Sequence, residues 1–131
     1  MRVLALDYGA ARTGVAVSDE TGTIASPVTV IEQAASDAGL EAIGRLVADQ
    51  AATLVVVGLP VSLDSAEHAQ AREVRSFVAR LKAQIDVPVV LYDERFTTAI
   101  ARRKGGRGEL DARAAAQILE DYLATHPSAS S

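Results

Sequence analysis

Three places in this chain hold carboxylates with little structural use. Asp7 closes the apolar run Val3-Leu4-Ala5-Leu6, Asp93 and Glu94 close the run from Val87 to Tyr92, and Asp111 lies on the apolar side of the last helical pattern. A carboxylate among apolar side chains is costly unless it is paired or binds a metal ion. Hard cations such as Mg²⁺ prefer carboxylate oxygens. Two such ions roughly 4 Å apart can activate a water and stabilise the leaving oxygen in phosphodiester cleavage. Taken singly, each acid has a plainer use: Asp7 can start a turn before Gly9, and Asp111 can complement a helix N-terminus.

Other chemistries have less to stand on. The chain has no cysteine, which excludes a thiolate nucleophile, a disulfide framework and a thiolate metal site. Its two histidines are unpromising: His68 falls at the exposed-looking start of a helix and His126 near the C-terminus. Net charge is −4, which argues mildly against a nucleic-acid partner, but the charge is unevenly spread. Residues 1–94 hold 7 basic and 13 acidic side chains, whereas 95–131 hold 6 and 4. Those six cations are Arg95, Arg102, Arg103, Lys104, Arg107 and Arg113, next to two of the suspect acids. A local basic segment can hold phosphates even on an acidic protein; it can also be a solvated surface.

Stepping along the chain gives the elements that must position these groups. Residues 2–7 read as a strand, 13–18 as a second joined by a turn short enough for a hairpin, and 23–31 as a third, with Pro27 marking an edge or a break. Leu40, Ile43, Leu46 and Val47 are spaced for a helix over 38–51. The run at 54–58 suits a strand buried on both faces. A helix over 66–84 carries Val74, Phe77, Val78 and Leu81, followed by a strand over 87–92, a short helix from Thr97 or Thr98 to about 104, and a last helix over 110–123. The expected unit is a single domain over 1–124 with a disordered tail over 125–131. Right-handed crossovers turn this order into a mixed five-stranded α/β sheet flanked by helices, the ribonuclease H-like architecture. The same order also describes half of an actin-like ATP-binding protein, so order alone does not fix function. No apolar run is long enough for a membrane span and no signal-peptide pattern opens the chain, so a cytoplasmic protein is expected.

In the last helix Asp111 precedes Ala114 and Ala115 by three and four residues and shares their side, where small residues permit close approach to a sheet. At the end of the last strand, alternation sends Asp93 and Glu94 to opposite faces, and periodicity leaves open which one enters the cleft. Arg95 either holds one of these acids or lies on the surface.

Several segments together resemble the YqgF/RuvX family. They are Asp7-Tyr8-Gly9 with Arg12-Thr13-Gly14-Val15-Ala16-Val17-Ser18, then Val57-Gly58-Leu59-Pro60, then Asp93-Glu94-Arg95-Phe96-Thr97-Thr98 (the "DERxT" motif), then Asp111 with Ala114-Ala115-Ala116 and Ile118-Leu119. The match runs in order from about residue 2 to 123. It implies a ribonuclease H-like, metal-dependent nuclease. That family is described both as the nuclease maturing the 5′ end of pre-16S ribosomal RNA and, by fold analogy, as Holliday-junction resolvases. Carried over by motif, Asp7, Glu94 and Asp111 are the catalytic, metal-binding acids for Mg²⁺ or Mn²⁺, with Asp93 as an assisting acid. Arg12, Arg95, Arg102, Arg103, Lys104 and Arg107 are then the nucleic-acid contacts. The implied partners are structured RNA or branched DNA and ribosomal precursor particles, met by a monomer or a homodimer. A resolvase would need the dimer to cut two strands symmetrically. A non-catalytic RNA-binding factor on the same fold is the remaining alternative. Two departures stand out: the stretch from Glu94 to Asp111 is shorter than the family's usual length, and Ser62 and Ser65 stand where the family tends to have Asn and Gly.

Overall fold

The computed structural model describes residues 2–59, 65–93 and 111–126, and the side chains of these except 65–68 and 111. Among these residues, five strands and three helices are ordered β1 (Arg2–Asp7), β2 (Arg12–Ser18), β3 (Ala25–Glu32), α1 (Asp37–Asp49), β4 (Ala52–Leu59), α2 (Ser65–Gln84), β5 (Val89–Asp93) and α3 (Asp111–Thr125). The expected helix around 97–104 lies outside the described residues. The sheet order is β3-β2-β1-β4-β5. β2 runs antiparallel to both β1 and β3, while β4 is parallel to β1 and β5 is parallel to β4. This is the mixed sheet expected from a hairpin meander followed by strands reached through helices.

The apolar run of β1 is uninterrupted because both of its faces are covered. Leu4, Leu6 and Tyr8 join a core with α1 (Leu40, Ile43, Val47) and α2 (Val74, Phe77, Val78, Leu81). Val3 and Ala5 join a second core with Ala16, Val56 and α3 (Ala115, Ala116, Ile118, Leu119, Leu123). Full burial of each large apolar side chain contributes roughly 1.5–3 kcal/mol. The second core is built largely of alanines where α3 meets β1 and β2, so the first turns of that helix lie close to the sheet.

Local chemistry sets the turns. Thr13, fully buried, exchanges hydrogen bonds of 3.4 Å with the N–H and the carbonyl of Gly9 across the β1–β2 turn. A Cβ on Gly9 would lie 2.4 Å from the Arg12 carbonyl oxygen, so the turn excludes a side chain there. Ser36 caps α1 by accepting from the Gly39 N–H at 3.0 Å. Pro27 pairs opposite Ala16 beside a register shift in the edge strand β3, where a missing N–H is tolerated.

The last helix runs past its expected end at 123, and residues 127–131 of the expected tail lie outside the described residues. α3 continues through Thr125, and His126 stacks on Tyr122 with ring centroids 4.1 Å apart. The Thr125 hydroxyl donates to the carbonyls of Asp121 and Tyr122, which holds the last turn together where a disordered tail was expected to begin.

Candidate active site

The carboxyl ends of the parallel strands β1, β4 and β5 lie along one edge of the sheet, the usual place for a ligand in an open α/β sheet. Asp7 ends β1 there. It is 4% exposed, the one acidic side chain among the buried described residues. Alternation fixes its face. Val3 and Ala5 pack toward α3, and Leu4, Leu6 and Tyr8 toward α1 and α2, so Asp7 falls on the α3 side.

The neighbours of Asp7 at that level are small. Gly14 of β2 is its direct partner across the antiparallel ladder. One residue beyond the Leu6–Val57 pair brings Gly58 of β4 level with Asp7, and Gly58 pairs with Tyr92 of β5. The row across the sheet is therefore Gly14, Asp7, Gly58, Tyr92. A buried carboxylate with a glycine on each adjacent strand has room beside it that no side chain of those strands fills. In the sequence, Gly14 falls inside the second strand and Gly58 ends the apolar run at 54–58. Only the strand register shows that they flank Asp7.

Tyr8, the next residue, faces the other way. Its ring stacks on Phe77 of α2 with centroids 4.6 Å apart, and its hydroxyl donates to Glu73 Oε2 at 3.3 Å. Burial, reinforced by the Glu73 carboxylate, raises the Tyr8 pKa above its ordinary value. Tyr8 thus anchors the end of β1 to α2 while Asp7 is presented to the opposite face.

Asp93 ends β5 on the same edge. Val89 and Leu91 belong to the core with α1 and α2, whereas Val90 and Tyr92 pack with α3, so alternation assigns Asp93 to the face opposite Asp7. Asp111 is the first residue of α3, one turn before Ala114 and Ala115, which are buried against the sheet. The side chain of Asp111 lies outside the described residues, as do Glu94, Arg95, Arg102, Arg103, Lys104 and Arg107. Arg12 is exposed at the start of β2, on the Asp7 edge. Among the described residues no three Asp, Glu, His or Cys side chains come together as a metal-binding group. The donor type nevertheless suits a hard cation: a carboxylate held at a strand end with a glycine on each neighbouring strand. Asp121 of α3 buries its Oδ2 without a hydrogen-bond partner among the described residues, while Gln117 Nε2 donates to its Oδ1 at 3.3 Å.

Known proteins resemble this chain along nearly its whole length. A protein of Roseiflexus sp. (strain RS-1) named "Putative pre-16S rRNA nuclease" is 40% identical, with 93% of each chain covered. One of the same name from Nitrosomonas europaea is 39% identical over 92% of this chain and 88% of that protein. Among solved structures, Thermus thermophilus RuvC in complex with a Holliday junction substrate superposes with a TM-score of 0.59 at 17% identity, covering 95% of this chain and 96% of that one. The fowlpox virus Holliday junction resolvase gives 0.52 at 12% identity, covering 95% and 99%. These structural likenesses establish the ribonuclease H-like fold. Residues 1–125 match the family described as RuvX: Holliday junction resolvase, and with relatives of such identity along nearly the whole length, the chain belongs to the RuvX family.

Proposed function

We propose that this protein is a divalent-metal-dependent nuclease of the cytoplasm that hydrolyses phosphodiester bonds in the 5′-end maturation of pre-16S ribosomal RNA. The observation that carries the reading is Asp7, buried at the carboxyl end of the central strand with Gly14 and Gly58 beside it. Asp7, Glu94 and Asp111 would hold Mg²⁺, with Mn²⁺ able to replace it. Bound there, the metal would supply charge for an attacking water and for the leaving oxygen.

The chain's own residues have separable tasks in this reading. Tyr8, through Phe77 and Glu73, keeps the end of β1 in place, so that Asp7 is held rather than searching for its position. Gly14 and Gly58 leave the space a phosphate needs to approach. The alternation on β5 favours Glu94 over Asp93 as the acid on the Asp7 face, with Asp93 in an assisting role from the other side. The close packing of Ala114 to Ala116 supports the start of α3 as the source of the third acid. Arg12, Arg95, Arg102, Arg103, Lys104 and Arg107 would hold phosphates on either side of the scissile bond.

Branched DNA is the second substrate reading, favoured by the description of the family as Holliday junction resolvase. One experiment separates the two: cleavage of a pre-16S 5′-leader RNA and of a four-way DNA junction, each with Mg²⁺, Mn²⁺ or Ca²⁺. Cutting of the RNA with Mg²⁺ or Mn²⁺, lost in Asp7→Asn and Asp111→Asn with folding intact, is expected. Cleavage by those variants at the wild-type rate would remove the metal-site assignment, and cutting of the junction alone would move the substrate to DNA.

A further inference from the structure

α2 carries a set of cations that the fold does not use. From Arg72 to Lys82 its sequence holds Arg72, Arg75, Arg80 and Lys82 against one acid, Glu73, in a chain of net charge −4. Arg80 is committed to structure: its guanidinium donates to the Ala35 carbonyl and lies 3.1 Å from Asp37 at the start of α1. The other three are exposed, and no described carboxylate forms an ion pair with them. None has a carboxylate three or four places away within the helix, so the usual neutralising pairs of a solvated helix are missing. At about 100° and 1.5 Å per residue, Arg72, Arg75 and Lys82 fall within roughly 80° of one another and extend over about 15 Å. Arg80 points about 80° or more away from them, toward α1. Like charges three residues apart destabilise a helix, and nothing within the described fold offsets them.

The stripe has a definite position relative to the candidate site. Glu73 receives the hydrogen bond from Tyr8, the residue after Asp7, so Arg72 and Arg75 stand within a turn of the sheet edge where Asp7 lies. α2 leads from the carboxyl end of β4 to the start of β5, so Lys82 lies farther down the face opposite α3. We propose that Arg72, Arg75 and Lys82 form a backbone-binding track that holds the phosphates of a nucleic-acid substrate on the face opposite α3, beyond the bond being cut. The proposal rests on the nuclease reading and extends it to a second surface. The track would grip structured substrates that reach past the edge, with no preference among base sequences.

Binding in the Asp7→Asn background, which separates affinity from cleavage, tests it. The probe is a fluorescent pre-16S 5′-leader RNA carrying its flanking duplex, titrated across a range of salt. Changing Arg72, Arg75 and Lys82 together to Gln should weaken binding about tenfold or more at low salt. It should also reduce the slope of log K against log salt by about 2–3, at roughly 0.7–0.9 per phosphate contact. Arg45→Gln on α1 should change neither, and Lys in place of Arg72 and Arg75 should keep the wild-type slope. Circular dichroism and Tm check that the triple variant is folded. An unchanged slope in a folded triple variant, with the Asp7→Asn parent binding well, overturns the track and leaves the nuclease reading intact. If neither protein binds RNA or junction DNA at any salt, both fall.

Discussion

Asp7 stands directly opposite Gly14 in the β1–β2 ladder, on the face that α3 covers. Opposed residues of an antiparallel pair hold their Cβ positions roughly 4.5–5.5 Å apart. Any side chain at position 14 would therefore lie against the Asp7 carboxylate. Gly58 repeats the relation from the parallel side. A strand pays in stability for interior glycine, so two of them flanking one buried acid fit a requirement for access.

Gly14→Ala tests that requirement. Alanine improves a strand interior over glycine by roughly 0.5–1 kcal/mol, so Tm should hold or rise. Cleavage should fall about tenfold or more as the methyl takes the space beside Asp7. Measuring Tm and kcat on the same preparation separates the effects, and full activity in a stabilised variant would show that the glycine serves only the strand.

Asp7→Asn keeps the shape of the side chain and removes its charge. Cleavage should drop at least about 100-fold, the scale of losing a group that acts on charge in the transition state. Mg²⁺ should raise the Tm of the parent, as any ligand of the native state does, and should leave that of the variant unmoved. Differential scanning fluorimetry with and without Mg²⁺ reads this independently of turnover.

Gly9→Ala probes the turn that leads away from the site. The added Cβ would meet the Arg12 carbonyl oxygen at 2.4 Å, and both are backbone-fixed, so the turn itself must shift. A loss of about 1–3 kcal/mol, the range for forced overpacking, is expected. Activity should fall too, because Arg12 and the end of β1 move together. Urea unfolding beside cleavage assays gives both numbers.

Much of this arrangement is legible in the residues. The apolar runs ending at Asp7 and Tyr92 mark strand ends, and the period of Val74, Phe77, Val78 and Leu81 marks a helix face. The choice between Asp93 and Glu94 is not legible, because Val89 to Tyr92 is apolar on both faces. It takes knowledge of which helix covers which face to tell Val89 and Leu91 from Val90 and Tyr92. Gly58 reads as a strand terminator until the β1–β4 register sets it level with Asp7. The cations of α2 are hidden in the overall charge of residues 1–94, where 13 acids outnumber 7 bases. His126 reads as part of a tail because its partner, Tyr122, reads simply as one more residue on a helix face.

Asp19 supplies a pH dependence distant from the chemistry. It closes the β2–β3 turn by accepting from the Thr23 and Ile24 N–H groups at 2.9 and 3.1 Å through Oδ1, and from the Thr21 hydroxyl at 2.8 Å through Oδ2. These donors favour the ionised carboxylate, with the Thr23 N–H the largest contributor, and lower its pKa from 3.8 to about 2. A group whose folded value lies below its unfolded one binds more protons when unfolded. Its contribution is therefore complete above the unfolded value and is lost as pH falls toward the folded one. For Asp19 that window runs from about 4 down to about 2. Asp19→Asn keeps the size of the side chain but cannot titrate, so the stability gap between the two proteins should be constant from about pH 7 to 5 and narrow below about 4. Urea unfolding at stepped pH measures the gap. A gap that stays constant down to pH 2 would mean that the turn does not depend on the ionised form of Asp19.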